Sequence, residues 1–236
     1  VSGFLHSVIQ FLSTSWGVLE VLVAEGLPVT VAILAGGTVV AVVAALAAGL
    51  GRVSRIAPWR WLSTSYVEAF RGTSALVQLF WFYFALPRLG ITLSAMTVGI
   101  VVLGLNTGSY GAEVVRGAIQ AVPGGQWEAA TALGFTRGQT MRRVVLPQAA
   151  IRMIPPAGNL LIELLKNTAL ALTIGLTEIT FRAQALRSET LDTAEIFTVA
   201  LLLYFVLAQG LSFGMRRLER RLAAGRDGYP GEAAAS

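Results

Sequence analysis

The sequence predicts an all-α membrane protein of about five transmembrane helices, amino terminus outside, with one long cytoplasmic loop. Three observations predict it. Hydrophobic residues fill 55% of the 236 positions and charged residues 13%, more apolar surface than a water-soluble domain of this length can hide. Four runs, Gly26 to Gly51, Gly72 to Pro87, Leu89 to Ala112 and Ile196 to Met215, contain no Asp, Glu, Lys or Arg, and a helix needs about 17 to 25 residues to cross hydrocarbon. The arginines gather after the first, third and last spans, which the positive-inside rule reads as cytoplasmic.

Residues 1–25 lack a basic stretch before the first apolar run, so no cleavable signal is expected there. Leu5, Val8, Ile9, Leu12 and Trp16 recur at helical spacing, consistent with a helix lying in the membrane interface. His6 is the single histidine and no cysteine is present, which removes disulfides, thiol nucleophiles and thiolate metal sites. The first span follows from Gly26. The second is short, and its helix can begin near Thr64 if Arg71 lays its stem along the bundle. Leu89 to Ala112 supplies the third. Met153 to Thr177 supplies the fourth, interrupted by Glu163 and Lys166, which stand three residues apart and share a helix face. Ile196 to Met215 is the fifth.

Arg52, Arg55 and Arg60, then Arg116 to Arg152, then Arg216 to Arg226 fall on the cytoplasmic side in this topology. Glu178, Glu189, Asp192 and Glu195 fall in a segment expected to face outward. The net charge of +5 therefore reports topology and headgroup contact, and no nucleic-acid partner is expected. The pairs Arg216-Arg217 and Arg220-Arg221 beside leucines suit anionic headgroups. The predicted organisation is an interfacial segment at 1–25, a membrane domain at 26–215 and a basic cytoplasmic tail at 216–236.

Between the third and fourth spans, Pro123-Gly124-Gly125 makes a turn, and Gln126 to Leu133 carries good helix formers. Gly134 can end that helix in a left-handed conformation. A second short helix fits Thr136 to Val145, with Pro147 as its boundary. Small alanines, and the apolar surface that Trp127, Leu133 and Phe135 offer in a segment expected to face the cytoplasm, suit either a docked partner or packing under the chain's own bundle.

Glu128-Ala129-Ala130, three residues, Gly134, nine residues, then Val144-Val145-Leu146-Pro147 resembles the cytoplasmic loop of bacterial ABC importer membrane subunits, with Val144 in place of isoleucine. The chain is similar to the polar amino acid permeases of that family through Tyr66 to Thr73 with Val77-Gln78, through Tyr110 to Gly117, and through Leu164 to Thr168. Ser74 departs from the proline expected there. The stretch Leu172 to Arg187 resembles subunits for ectoine and related compatible solutes.

The resemblance implies a type I ABC importer permease fold in a bacterial cytoplasmic membrane. It also implies a second permease subunit, identical or a sister chain, two ATPase subunits and an extracytoplasmic solute-binding protein. The loop at about 119–152 would couple to the ATPase through Glu128, Ala129, Ala130, Gly134 and Pro147. ATP and Mg would sit on that partner. In this chain no glycine-rich loop precedes the single lysine, Lys166, so no nucleotide site is expected, nor any other cofactor.

Charges inside a span are disfavoured by about 2.5 to 3.5 kcal/mol each, so they face a bundle interior or an aqueous path. Glu163 and Lys166 either pair with each other or line a path for a zwitterion. Arg71, Gln78, Asn106 and Thr107 are further path candidates, although Asn106 also suits a bond between helices. Glu113 and Arg116 suit an ion pair or an anchor for the coupling loop. The rival reading is a self-sufficient secondary transporter or channel. It is opposed by the lack of paired broken segments of the kind inverted repeats give.

Overall fold

The computed structural model describes residues 15–224, and every regular element among them is helical. Three helices are long and apolar enough to cross a membrane: α1 (Ser15–Arg52), α4 (Ala95–Gln120) and α8 (Thr193–Ala224). Between α1 and α4 lie α2 (Ala57–Arg71) and the shorter apolar α3 (Ala75–Leu89). After α4 come the short α5 (Gly124–Ala132), then α6 (Arg137–Ile174) and α7 (Ile179–Thr190). The last two pass the length and composition test together as a pair bent by 52°.

Several expected boundaries move. One helix crosses the expected boundary at residue 25, so Trp16 to Glu25 extend the first span; Leu5 to Leu12 and His6 lie outside the described residues. The second span is not one helix from Thr64. It breaks at Gly72–Ser74, where Gly72 caps α2 and Ser74 is extended with ψ 134°. The third begins at Ala95, because the Ser94 hydroxyl accepts from the Thr97 N–H at 3.2 Å and caps the helix. Pro147 is not a boundary. The helix that starts at Arg137 runs through it to the last turns of α6.

The reason Pro147 is tolerated recurs twice more. A proline removes the hydrogen bond to the fourth residue before it and crowds that carbonyl. Here a π-helical turn occupies Met141–Val145, just ahead of Pro147. The turn Leu22–Gly26 precedes Pro28, and Trp81–Ala85 precedes Pro87. In each case the residue four before the proline lies within the wide turn, where the regular ladder is already interrupted.

Helix α1 packs most extensively on α4, along a seam of small residues. A Cβ on Gly104 would stand 2.8 Å from the Gly37 carbonyl oxygen, and one on Gly108 would stand 2.8 Å from Ala44 Cβ. Two glycines four apart let the backbones approach this closely, the association mode available where lipid removes the hydrophobic drive between helices. A core of Ile33, Leu79, Val102, Leu103, Leu164 and Ile174 joins α1, α3, α4 and α6. A second, with Leu22, Ile179, Ala183 and Ile196, joins the start of α1 to α7 and α8. A third, with Val115, Ile119, Val145 and Ala149, sits at the loop end.

Candidate coupling loop and intramembrane polar sites

The loop between α4 and α6 is held by its own backbone. At the end of α5, Gly134 has φ 76°. The Phe135 N–H donates to the Ala130 carbonyl and the Gly134 N–H to the Thr131 carbonyl, both at 3.0 Å. This is the paired closure that a left-handed glycine after a helix makes possible. Thr136 then caps α6. Its hydroxyl accepts from the Gln139 N–H, while the Gln139 side chain accepts from the Thr136 N–H at 2.8 Å. Glycine stop and threonine start are two residues apart, so the bend between α5 and α6 is sharply defined.

One side of α5 is anchored. Ala130 is buried and Trp127 packs on the third core. Gln148 donates to Gln126 at 3.2 Å, and the Arg152 guanidinium donates to the Ala121 carbonyl at 2.7 Å. The opposite side is open. Glu128, Ala129 and Leu133 are exposed, Leu133 at 76%. Packing under the chain's own bundle therefore holds for one side of this helix, and the other side is left open. Pro147, the last member of the pattern, lies in α6 beyond its π-turn rather than on the exposed surface of α5.

Gln78 and Asn106 meet at the break between α2 and α3. Gln78 Nε2 donates to the Phe70 carbonyl at 2.9 Å and to Thr73 Oγ1 at 2.7 Å. Asn106 Nδ2 donates to the same Phe70 carbonyl at 3.2 Å and to Gln78 Oε1 at 3.0 Å. Ending α2 frees backbone carbonyls that need donors away from water, and these two amides supply them. Asn106 thus bonds between helices.

Arg71 lies at the end of α2, its guanidinium 3.2 Å from Glu113 Oε1 and 5.2 Å from the Tyr110 ring centroid. Glu113 also pairs with Arg52, and with Arg116 at 2.8 Å. One carboxylate therefore ties the ends of α1 and α2 to α4, within a cluster of three guanidinium groups. Thr107 is buried and lines an apolar recess between α1, α4 and α6 with Thr38, Gly111, Leu160 and Leu164.

Glu163 and Lys166 stand apart from these groups. Both are exposed on α6, and among the described residues neither takes part in an ion pair. The internal pairing considered from their spacing is absent.

Glu178 was read only as part of an outward-facing acidic segment, yet its side chain is fully buried. It caps α7 by accepting from the Thr180 and Phe181 N–H groups, each at 2.7 Å, and accepts from the Tyr204 hydroxyl of α8 at 2.8 Å. Beside it the Ile179 N–H donates to Thr30 of α1 at 3.3 Å. The available signal was positional: Gly175 followed by Thr177-Glu178-Ile179-Thr180 marks a helix stop and a new start.

Residues 21–224 match the family described as binding-protein-dependent transport system inner membrane component. A probable amino-acid ABC transporter permease protein, y4tF of Sinorhizobium fredii, is 48% identical over 75% of this chain and 77% of its own length. The L-cystine transport system permease protein TcyB of Bacillus subtilis is 36% identical over 88% of this chain and 87% of its own. A solved structure described as an amino acid ABC transporter with histidines superimposes with a TM-score of 0.72 at 32% identity, covering 93% of this chain and 97% of that one.

Proposed function

The chain belongs to the family of binding-protein-dependent transport system inner membrane components, and on that premise we propose that it is a pore-forming permease subunit of an ATP-driven importer of amino acids or related zwitterionic solutes. It spans the membrane with its loop between α4 and α6 on the cytoplasmic side. A second permease subunit completes the pore, two ATPase subunits hold ATP and Mg, and a solute-binding protein delivers substrate from outside. Relatives whose names carry amino-acid and cystine transport support the substrate class.

The observation that carries the mechanism is the two-sided α5. Its Trp127 and Ala130 side is fixed to the bundle, while Glu128, Ala129 and Leu133 stand open at a bend set by Gly134. A partner moving against the open side moves α6, because Gln148 and Arg152 tie that helix to the loop. α6 carries Glu163 and Lys166, so displacement at the loop reaches groups suited to a substrate bearing both charges.

The test is ATP-driven uptake into vesicles holding this chain and its ATPase. Gly134→Val puts a β-branched residue at φ 76°, disfavoured by about 1 to 2 kcal/mol, and is expected to lower uptake while leaving the chain in the membrane. Undiminished uptake, or uptake with no ATPase present, would overturn the coupling role. Calorimetry on the cognate binding protein, with a panel of amino acids plus ectoine, names the solute.

A further inference from the structure

The last turns of α8 carry charge that no described carboxylate pairs with. Arg216, Arg217 and Arg220 are exposed and line one open cleft with Phe213. The Arg217 guanidinium lies 5.7 Å from the Phe213 ring centroid. None of the three takes part in an ion pair among the described residues. The nearby carboxylate, Glu219, is partly buried and adjacent in sequence to Arg220, which sets it about 100° round the helix from that residue.

The same face continues toward the middle of the membrane. Leu202, Val206, Gln209 and Phe213 follow at steps of three and four residues, so they stand above the arginines in one stripe. Leu202, Val206 and Phe213 are 54%, 63% and 58% exposed. From Leu202 to Phe213 the stripe rises about 16 Å, close to half of the roughly 30 Å hydrocarbon thickness. A largely apolar track, interrupted by Gln209 and about as long as one leaflet is deep, thus ends on three guanidinium groups.

We propose that this face of α8 is a binding site for one anionic phospholipid of the inner leaflet. An acyl chain lies along Leu202, Val206 and Phe213, and the phosphate is held by Arg216, Arg217 and Arg220. Guanidinium groups match phosphate oxygens in charge and geometry. Three exposed arginines against one partly buried carboxylate, Glu219, at the edge of the stripe favour a net-negative headgroup over a zwitterionic one. The exposed apolar positions Leu202, Val206 and Phe213 above the arginines select a lipid over a free phosphate, which would need only the arginines. The site rests on α8 crossing the membrane with its carboxyl end on the cytoplasmic side, as in the proposed function, and is independent of what the chain transports.

Native mass spectrometry of the full chain, released from nanodiscs of equal phosphatidylcholine and phosphatidylglycerol, tests it. Wild type is expected to retain phosphatidylglycerol in preference. R216Q/R217Q/R220Q should lower that preference by about fivefold per arginine, and the triple lysine variant should keep most of it. If the glutamine variant fails to fold, wild type decides by itself: the preference must weaken with salt. Equal retention of both lipids, a preference that survives the glutamine substitutions or ignores salt, or displacement by inorganic phosphate alone would each overturn the site. So would cross-linking of Leu202→Cys between two copies with lipid excluded, which would make the face a subunit interface.

Discussion

Glu113 faces Arg52, Arg71 and Arg116, so removing its charge leaves three guanidinium groups to repel one another across the ends of α1, α2 and α4. Removing one arginine leaves the carboxylate with two partners. Glu113→Gln is therefore expected to be the most damaging change in the cluster, lowering stability by about 1 to 2 kcal/mol because the three ion pairs it breaks are only partly buried, with Arg71→Gln well below it. Thermal unfolding of the purified chain in detergent checks the order, and an Arg71 variant as unstable as the Glu113 variant would refute it. Glu178 makes a different case. Glu178→Ala strips two cap bonds and the Tyr204 bond from a buried site, where each hydrogen bond to a charged group contributes about 1.5 to 3 kcal/mol. The same unfolding measurement should show a large loss, and hydrogen exchange should show it concentrated at the start of α7. The spacing of Glu113 and Arg116 already suggested their pair, but Arg52 and Arg71 as further partners, and the burial of Glu178, were not legible, because a carboxylate reads as exposed until the elements around it are placed.

At the scale of the helices, the α1 and α4 pair is specified by what is missing from their facing surfaces. Gly108→Val would drive a side chain into the Ala44 methyl and the Ala41 carbonyl, which a Cβ alone would meet at 2.8 and 3.0 Å. Overpacking of this kind is destabilising by about 1 to 3 kcal/mol. Gly210→Val on α8 meets nothing within 4 Å and should change stability by less than about 0.5 kcal/mol. Equal unfolding midpoints for the two variants would show that close approach is not what the glycines provide. Element existence was readable here because charge-free runs and clustered arginines need no tertiary information. The ends were not. The sequence suggested that Pro147 closes a helix and that the second span is continuous. A π-turn absorbs the proline in one place, and an amide pair from Gln78 and Asn106 sustains a break in the other. Both solutions depend on backbone hydrogen bonding between residues that no periodicity connects.

Across the whole molecule the polar groups divide into those the chain satisfies by itself and those it leaves open. Gln78, Asn106, Arg71 and Glu113 belong to the first kind, although the sequence placed three of them with the path residues. Their place in or beside apolar segments was legible; of their partners, which lie from 3 to 61 residues away along the chain, only Arg116, beside Glu113, was. Glu163 and Lys166 belong to the second kind, since they are exposed on α6 without an ion pair among the described residues. Charges kept on a membrane helix with no internal partner carry an insertion penalty, which a partner subunit or a substrate passing between subunits would offset. That difference separates scaffold from path experimentally. Glu163→Gln and Lys166→Met should leave the unfolding midpoint of the isolated chain within about 0.5 kcal/mol of wild type, yet lower ATP-driven uptake by about tenfold or more, as loss of one ionic contact of about 1.5 to 3 kcal/mol implies. Glu113→Gln should instead lose stability and uptake together. If the α6 variants also unfold early, the two charges hold the chain together and the path must run elsewhere; if they are stable and uptake is unchanged, they line neither path nor interface.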